Sequence, residues 1–220
     1  MVGETFQPDK TALDILQASL PHIPFEGWSK KALLAGADDC GYDAESVHLA
    51  FPLGAVDAIA LHSRVADQTM VDAFLALPER PDKVHLMIRS LILLRLEAAQ
   101  QDKDAVRRSF GVLAKPANIK LSTMLLYETV DAMWRAAGQR DTNFAFYTKR
   151  GTLSAVYSTT VLAWLADNSG NLDKTSSFLD RRLSNVASIP KLTKPLKTAM
   201  AAVQRAAEVT IGAGIRKRPR

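Results

Sequence analysis

Apolar residues recur at intervals of three and four positions along nearly the whole chain, and Gly or Pro separates one run from the next. In segment 83–101, the apolar residues that share one side are Val84, Met87, Leu91 and Leu94. This spacing places them on one face of an α-helix, and no segment alternates apolar and polar residues as a half-buried strand does. The pattern therefore predicts an all-α protein.

Gly and Pro divide the chain into three predicted parts. Three short helices with tight Gly turns make residues 1–54 a helix-turn-helix-like head. Residues 55–189 form a helical body, in which the segment Gly151 to Ala166 is apolar on nearly every side and should be enclosed by other helices. Residues 190–220 form an amphipathic C-terminal helix with a basic tail.

Composition excludes several classes of protein. With 47% apolar and 23% charged residues, the chain can fold around a core. Its longest uncharged stretch, Gly151 to Ala166, is shorter than the roughly 20 apolar residues of a membrane-spanning helix, so none is predicted.

The single cysteine, Cys40, cannot form an internal disulfide or a Cys-ligated zinc site, which favours a reducing compartment. No histidine is near it in sequence, so we expect a small packed residue rather than a nucleophile. The first residues show neither a signal core nor an organelle presequence, and we expect a cytoplasmic location with peripheral membrane attachment possible.

Positive charge is concentrated at the C-terminus. Residues 191–220 carry eight basic side chains and one acid, whereas the net charge of the whole chain is +5. A helix with this charge and a thin apolar stripe suits an anionic membrane surface, where each Lys or Arg contributes about 1 kcal/mol. The alternative is an ordinary last helix packed on the body. The predicted membrane-binding residues are Leu192, Leu196, Lys197, Met200 and Val203.

The head has the order of helices and turns found in tetracycline-repressor-like regulators, including Gly27-Trp28 and Phe51-Pro52-Leu53-Gly54. In such regulators the third helix enters the major groove and the flanks hold phosphates. Here the segment 43–51 has two acids and no Lys or Arg, and residues 28–62 carry two basic and five acidic side chains. A net-negative head repels DNA, so we predict no nucleic-acid binding. A ligand-responsive transcriptional regulator is the alternative function.

Catalytic motifs are weak. The pairs Glu45-x-x-His48 and Asp82-x-x-His85 resemble half of a helical di-iron site, but one pair has Asp instead of Glu and the other lies in the head. The chain has no nucleotide-binding Gly-rich motif and no nucleophile elbow. We therefore predict no metal centre.

Aromatic residues crowd the segment 141–150, next to cations that we expect to be exposed. Such a segment can form a docking surface, with Tyr147 amphipathic and Arg150 able to form forked hydrogen bonds. The alternative, which the chemistry alone favours, is a helix cap with its aromatic staple.

Three motifs closely resemble the ninth Coq protein family, an accessory family of ubiquinone biosynthesis. They are the run Phe144 to Arg150, the stretch Val156-Tyr157-x-Thr159-Thr160 and the run Phe178-Leu179-Asp180-Arg181-Arg182. The head motifs resemble the N-terminal part of the same family, and the similarity covers nearly all of residues 20–211. The resemblance implies a tetracycline-repressor-like fold without enzymatic activity. It also implies that the body binds an isoprenoid or quinone lipid, that the C-terminal helix engages the membrane, and that the protein presents the quinone precursor to the di-iron demethoxyubiquinone hydroxylase.

The resemblance carries over to particular residues. The implied partner-binding residues are Met133, Trp134, Phe146, Tyr147 and Arg150. Phe146 stands where eukaryotic members carry Trp. The lipid-binding residues, chosen from helix periodicity, are Leu91, Leu94, Leu125, Leu153, Val156, Val161 and Trp164. A homodimer follows by analogy of fold, no cofactor other than the lipid is expected, and the absence of a presequence suggests a bacterial member at the inner membrane.

Overall fold

The computed structural model describes residues 8–139 and 144–186, without the side chains of residues 144–148. All regular elements in these ranges are helical. The first five helices are α1 (Lys10–Ser19), α2 (Ile23–Glu26), α3 (Lys30–Asp39), α4 (Ala44–Ala50) and α5 (Ala55–Leu75). The others are α6 (Val84–Ala98), α7 (Lys103–Leu113), α8 (Ile119–Ala136), α9 (Phe144–Ala166) and α10 (173–186).

Contacts divide the chain into two units, Met1–Leu179 and Asp180–Arg220. Helices α1 to α9 and the first turns of α10 lie in the first unit. The first unit therefore contains the predicted head together with most of the predicted body, and the boundaries at residues 54 and 189 stay predictions. The predicted C-terminal helix lies outside the described residues.

Side-chain caps fix where the head helices begin. Asp9, Ser29 and Asp43 each accept a hydrogen bond from a backbone N–H three residues later, at 3.0, 3.2 and 2.8 Å. These bonds satisfy N–H groups that have no partner within the first turn. At the other end of α3, Gly41 has φ +81°, which lets the N–H of Tyr42 reach the carbonyl of Ala37 at 2.8 Å. The chain thus turns sharply into α4.

The head has its own apolar core, and it continues into the body. Ile15, Leu33 and Val47 come from α1, α3 and α4 and are at most 3% exposed. Gly36 lets α3 approach α1, since a Cβ there would lie 2.5 Å from the backbone nitrogen of Ser19. Ile59 on α5 belongs to the same cluster, so head and body share apolar contacts.

Trp28 fixes the head against the body. Its indole Nε1 donates a 2.8 Å hydrogen bond to the backbone carbonyl of Ala105 on α7. Its ring also meets the imidazole of His62 on α5 edge to face, with centroids 5.6 Å apart. A single buried side chain therefore connects the predicted head to two helices of the body.

The prediction for the segment Gly151 to Ala166 is partly wrong. Helix α9 begins earlier, at Phe144, and only part of its circumference is enclosed. Val156 and Trp164 are buried, whereas Leu162 is 54% exposed. Uncharged side chains do not reveal which face is covered, because a helix without charges can still present one face to solvent.

Within the described residues, no single helix has both the length and the apolar composition of a membrane span, although the bent pair Ala44–Ala50 and Ala55–Leu75 meets the criterion jointly. Cys40, expected to be packed, is exposed, and its thiol donates to the carbonyl of Gly36 at 3.0 Å. Cys40 follows the last turn of α3, where the helix no longer shields its side chain from solvent.

Candidate functional site

Five helices of the first unit enclose a partly open cavity of about 250 Å³. Helices α5 and α6 provide mostly polar lining residues, α7 provides mostly apolar ones, and α8 and α9 provide both. The lining residues are Ile59, His62, Ser63, Arg95, Val106, Ser109, Phe110, Leu113, Ala114, Ser122, Leu125, Leu126, Thr129, Tyr157, Ser158 and Val161. A concave site of mixed polarity between helices is where small ligands bind in all-α proteins.

Arg95, one of the lining residues, belongs to a buried ion pair. Nε of Arg95 lies 2.8 Å from Oδ1 of Asp67, and both side chains are 10% exposed. The Thr129 hydroxyl donates to the other carboxylate oxygen at 2.9 Å. Burial raises the pKa of Asp67, which Arg95 and Thr129 oppose by favouring the carboxylate. Burial lowers the pKa of Arg95, but Tyr157 and Asp67 outweigh this and hold it above its ordinary value.

Tyr157 lies beside the ion pair. The Cζ atom of Arg95 is 5.8 Å from the centroid of its ring. Burial raises the pKa of the Tyr157 phenol, so it is a neutral hydroxyl at physiological pH. Among the residues that the structure describes, no hydrogen-bond partner faces this hydroxyl, although Tyr157 lines the cavity. The cavity therefore offers an unused hydrogen-bonding group beside a neutralised cation.

The lining residues that are exposed to solvent are apolar. Phe110 on α7 is 41% exposed, and Ala114 just beyond α7 is also exposed. Arg95 and Thr129, by contrast, are buried. Ile59, Leu125 and Val161 are as buried, so the interior of the cavity has both polar and apolar walls.

The predicted lipid-binding residues separate into two groups. Leu125 and Val161 line the cavity. The other five contribute no lining surface, although all of them except the half-buried Leu94 are buried between helices. These five are Leu91, Leu94, Leu153, Val156 and Trp164. Periodicity identifies the inward face of a helix, but it does not indicate where facing helices leave a gap.

The predicted partner-binding residues lie where α8 ends and α9 begins. Met133 is fully buried and Trp134 is 9% exposed, with Nζ of Lys149 5.7 Å from the Trp134 ring centroid. Arg150, expected to be an exposed cation, is 5% exposed. Its Nε donates to Oδ1 of Asp131 at 2.9 Å, because this buried carboxylate is available on the facing helix. The side chains of Phe146 and Tyr147 lie outside the described residues.

A second cavity, of about 370 Å³, lies beside the start of α7. Its charged side chains already have partners: Lys103 donates to the carbonyl of Asp167, and Arg107 pairs with Asp104. It has few apolar walls. The smaller cavity between α5 and α9 is therefore the better candidate for a ligand with an apolar part.

Metal chemistry finds no support in the described part of the chain. No group of three or more His, Cys, Asp or Glu side chains is arranged there to hold an ion. The nearest approach of a histidine to a carboxylate beside the cavity is His62 to Asp102, at 4.0 Å.

Sequence reasoning missed the polar lining residues Arg95 and Tyr157, and the Asp67 carboxylate that pairs with Arg95. The signal was present, because Asp67 and Arg95 interrupt the apolar faces of two long helices. A charge on an inward face has to meet an opposite charge or a ligand, since an unpaired buried charge is very costly.

Comparison with known proteins identifies related sequences and a similar fold. A family model described as COQ9 matches residues 119–190. The chain is 30% identical over 193 residues to "Ubiquinone biosynthesis protein COQ9, mitochondrial" of Bos taurus, covering 84% of this chain and 60% of the relative. The protein of the same name from Homo sapiens gives the same values for identity and coverage. The protein named coq9 from Schizosaccharomyces pombe is 28% identical to this chain, and the match covers 81% of this chain and 70% of the relative.

The chain is also similar in fold to the TetR transcriptional regulator from Nitrosomonas europaea ATCC 19718. The TM-score is 0.65 at 20% identity, with 82% of this chain and 100% of the regulator covered. This similarity concerns the fold, and it confirms the prediction of an all-α, tetracycline-repressor-like architecture.

The predicted location at a bacterial inner membrane is contradicted by these relatives, which are eukaryotic proteins named mitochondrial. The prediction rested on the first residues of the chain. Because the chain spans about 60% of the length of the mammalian relatives, those residues carry no information on where such a protein is located.

Replacing Asp67 tests whether the ion pair supports the fold around the cavity. We expect Asp67→Asn to lower the free energy of unfolding by about 3 kcal/mol, because Arg95 stays buried without its counter-charge. Urea denaturation measures the loss. The control, Asp72→Asn, changes an exposed carboxylate on the same helix and should cost less than about 0.5 kcal/mol. Equal losses in the two variants would contradict the assignment.

Proposed function

The chain is homologous to the COQ9 proteins of ubiquinone biosynthesis, and from this relation we propose that it is a non-enzymatic accessory protein of that pathway. It binds an isoprenoid lipid in the cavity between α5 and α9 and presents the quinone precursor to the demethoxyubiquinone hydroxylase. The observation that carries the proposal is this cavity, whose exposed lining residues are apolar.

The physical need for such a protein lies in the lipid. A long isoprenoid chain is almost insoluble in water, and burying apolar surface gains about 25 cal/mol per Å². Apolar side chains at the opening, Phe110 and Leu113 among them, cover the part of the chain next to the ring. A partly open cavity also lets a chain longer than the cavity continue outward.

Filling the cavity should displace the lipid. Ser158 is half-buried on α9 and lines the cavity. We expect Ser158→Phe to remove most of the isoprenoid that co-purifies with the full chain, because the new ring occupies the space. Mass spectrometry of lipid extracts measures the ratio of lipid to protein.

The adjacent position supplies the control for this variant. Thr159 is exposed on the same helix, so Thr159→Phe adds the same side chain outside the cavity and should retain the lipid. No isoprenoid in extracts of the unchanged protein, or the same loss in both variants, would refute lipid binding at this site.

We place the surface for the hydroxylase where α8 and α9 meet. The buried bonds from Arg150 to Asp131 hold the two helices together, and Arg135 pairs with the other oxygen of Asp131 at 2.5 Å. Lys149 is exposed, and its Nζ lies over the Trp134 ring, 5.7 Å from the centroid. A rigid base beside two exposed cations, Lys149 and Arg135, suits a binding site for a protein partner of opposite charge.

Charge reversal tests this surface. We expect Lys149→Glu to weaken binding of the purified hydroxylase about tenfold, because it reverses the charge at the proposed interface. Isothermal titration calorimetry measures the affinity. The matched variant Lys120→Glu, at an exposed position near the start of α8, should bind as the unchanged protein does. Similar affinities for both variants would show that the hydroxylase does not bind at this surface.

The proposed membrane contact rests on the sequence of residues 190–220, which lie outside the described part of the chain. Replacing Lys191, Lys194 and Lys197 by Gln should cost about 3 kcal/mol of binding free energy on anionic liposomes. Co-flotation with the liposomes measures the bound fraction. In the control variant, Gln replaces Lys10, Lys30 and Lys31, which are exposed in the head. If the control reduces flotation as strongly, net charge rather than the C-terminal helix is responsible.

The head gives no support to the alternative of a transcriptional regulator. Helix α4 has Asp43 as its N-cap and Glu45 in its first turn, where a DNA-reading helix needs groups that attract phosphate. A mobility-shift assay that found a salt-sensitive, specific DNA site would reverse this conclusion.

A further inference from the structure

We infer that the corner where α7 joins α8 is a second membrane-contact surface, specific for an anionic bilayer. This α7–α8 surface consists of Phe110, Lys115, Ile119 and Lys120, and it shares no residue with the proposed contact of residues 190–220. Its role in lipid transfer rests on the proposed function, which it deepens by giving the lipid a path between bilayer and cavity.

The charged side chains of this part of the first unit are all positive. Residues 105–127 contain four basic side chains and no acid. Arg107 and Arg108 are engaged, the first in an ion pair and the second in a hydrogen bond to a backbone carbonyl. Lys115 and Lys120 are exposed and form no ion pair with the residues that the structure describes. These two lysines are therefore available to an anionic surface.

Large apolar side chains are exposed beside these lysines. Ile119 is 56% exposed in the first turn of α8, and Phe110 is 41% exposed in the last turn of α7. Ala114, Pro116 and Ala117 between them are also exposed. Apolar side chains next to cations hold peripheral proteins in the interface of an anionic bilayer. A nucleic-acid backbone would satisfy the lysines but leave the apolar side chains in water.

Hydrogen bonds hold the turn that carries this surface. The side-chain amide of Asn118 donates to the carbonyl of Val112 on α7 at 2.9 Å, and its backbone N–H donates to the carbonyl of Lys115 at 2.8 Å. Pro116 fixes φ at the start of the short 3-10 turn. The surface is therefore formed before it meets a bilayer, and binding requires little loss of conformational entropy.

The α7–α8 surface adjoins the cavity. Phe110 and Ala114 line the cavity and are also exposed to solvent. Ile119 precedes the lining residues Ser122 and Leu126 by three and seven positions, so it lies next to them on the same side of α8. A lipid that left a bilayer at this surface would reach the cavity past apolar side chains, without exposing its chain to water.

Removal of charge tests the contact. We expect the double variant Lys115→Gln, Lys120→Gln to weaken binding of the full chain to vesicles of phosphatidylcholine and phosphatidylglycerol about thirtyfold. Each Lys near an anionic surface contributes a factor of about five. Sedimentation with increasing amounts of vesicles measures the affinity.

The turn between α5 and α6 supplies the control for this double variant. It also carries two exposed basic side chains, Arg80 and Lys83, but Glu79 and Asp82 balance their charge. Arg80→Gln with Lys83→Gln removes the same charge from the chain and should change the affinity less than about twofold, because this turn lies outside the contact. Unchanged binding in the Lys115 and Lys120 variant, or equal losses in the two variants, would overturn the inference.

Replacement of an apolar side chain tests the contact independently. Ile119→Ser should weaken vesicle binding about tenfold, because the side chain no longer buries its apolar area in the bilayer. The control, Leu75→Ser, changes a side chain that is 52% exposed at the end of α5 and should bind as the unchanged protein does. If Ile119→Ser left vesicle binding unchanged and converted a dimer to a monomer in analytical ultracentrifugation, the surface would belong to a second copy, which overturns the inference.

Lipid extracts separate this inference from the proposed function. If isoprenoid co-purifies but the Lys115 and Lys120 variant binds vesicles normally, the α7–α8 contact is refuted and lipid binding stands. If vesicle binding depends on these lysines but no isoprenoid co-purifies, lipid binding is refuted and the membrane contact stands.

Discussion

The Arg95–Asp67 ion pair is the interaction on which the character of the body depends. Two charges from α5 and α6 meet at 2.8 Å in the interior, and Thr129 from α8 adds a hydrogen bond to the carboxylate. Such a pair is costly to bury, and apolar residues of the same volume often give equal or greater stability. Because Arg95 of this pair lines a cavity, the pair gives a polar surface inside an apolar body.

Several neighbouring elements of the first unit contact this ion pair or line the same cavity. Tyr157 stacks near Arg95, His62 and Ser63 complete the wall on α5, and the exposed end of α7 leaves an opening. His62 also touches Trp28, which joins the head to α7. A cavity wall and the junction between head and body therefore share one side chain.

The fold is similar to that of a DNA-binding regulator, but the charges on the surface of the head do not favour DNA binding. The architecture is that of a TetR regulator, yet α4 begins with two acids and presents Leu49 with 73% exposure. Fold alone does not determine function. The electrostatics of the head and the cavity of the body together favour a protein that handles a lipid over one that reads DNA.

The sequence by itself determined the helical class, the order of the helices and most of their ends, because apolar spacing, Asp and Ser caps and Gly stops act within a few residues. Its motifs also predicted the similarity to COQ9 proteins that the comparisons found. Only the tertiary structure decided which inward-facing side chains border a gap, that Leu125 and Val161 do so while Trp164 does not, and that Arg150 is bonded to Asp131 instead of facing solvent. The physical reason is range: a helix is specified by neighbours three and four residues apart, whereas a cavity or a buried ion pair exists only where side chains from distant segments, such as Asp67 and Arg95, come together.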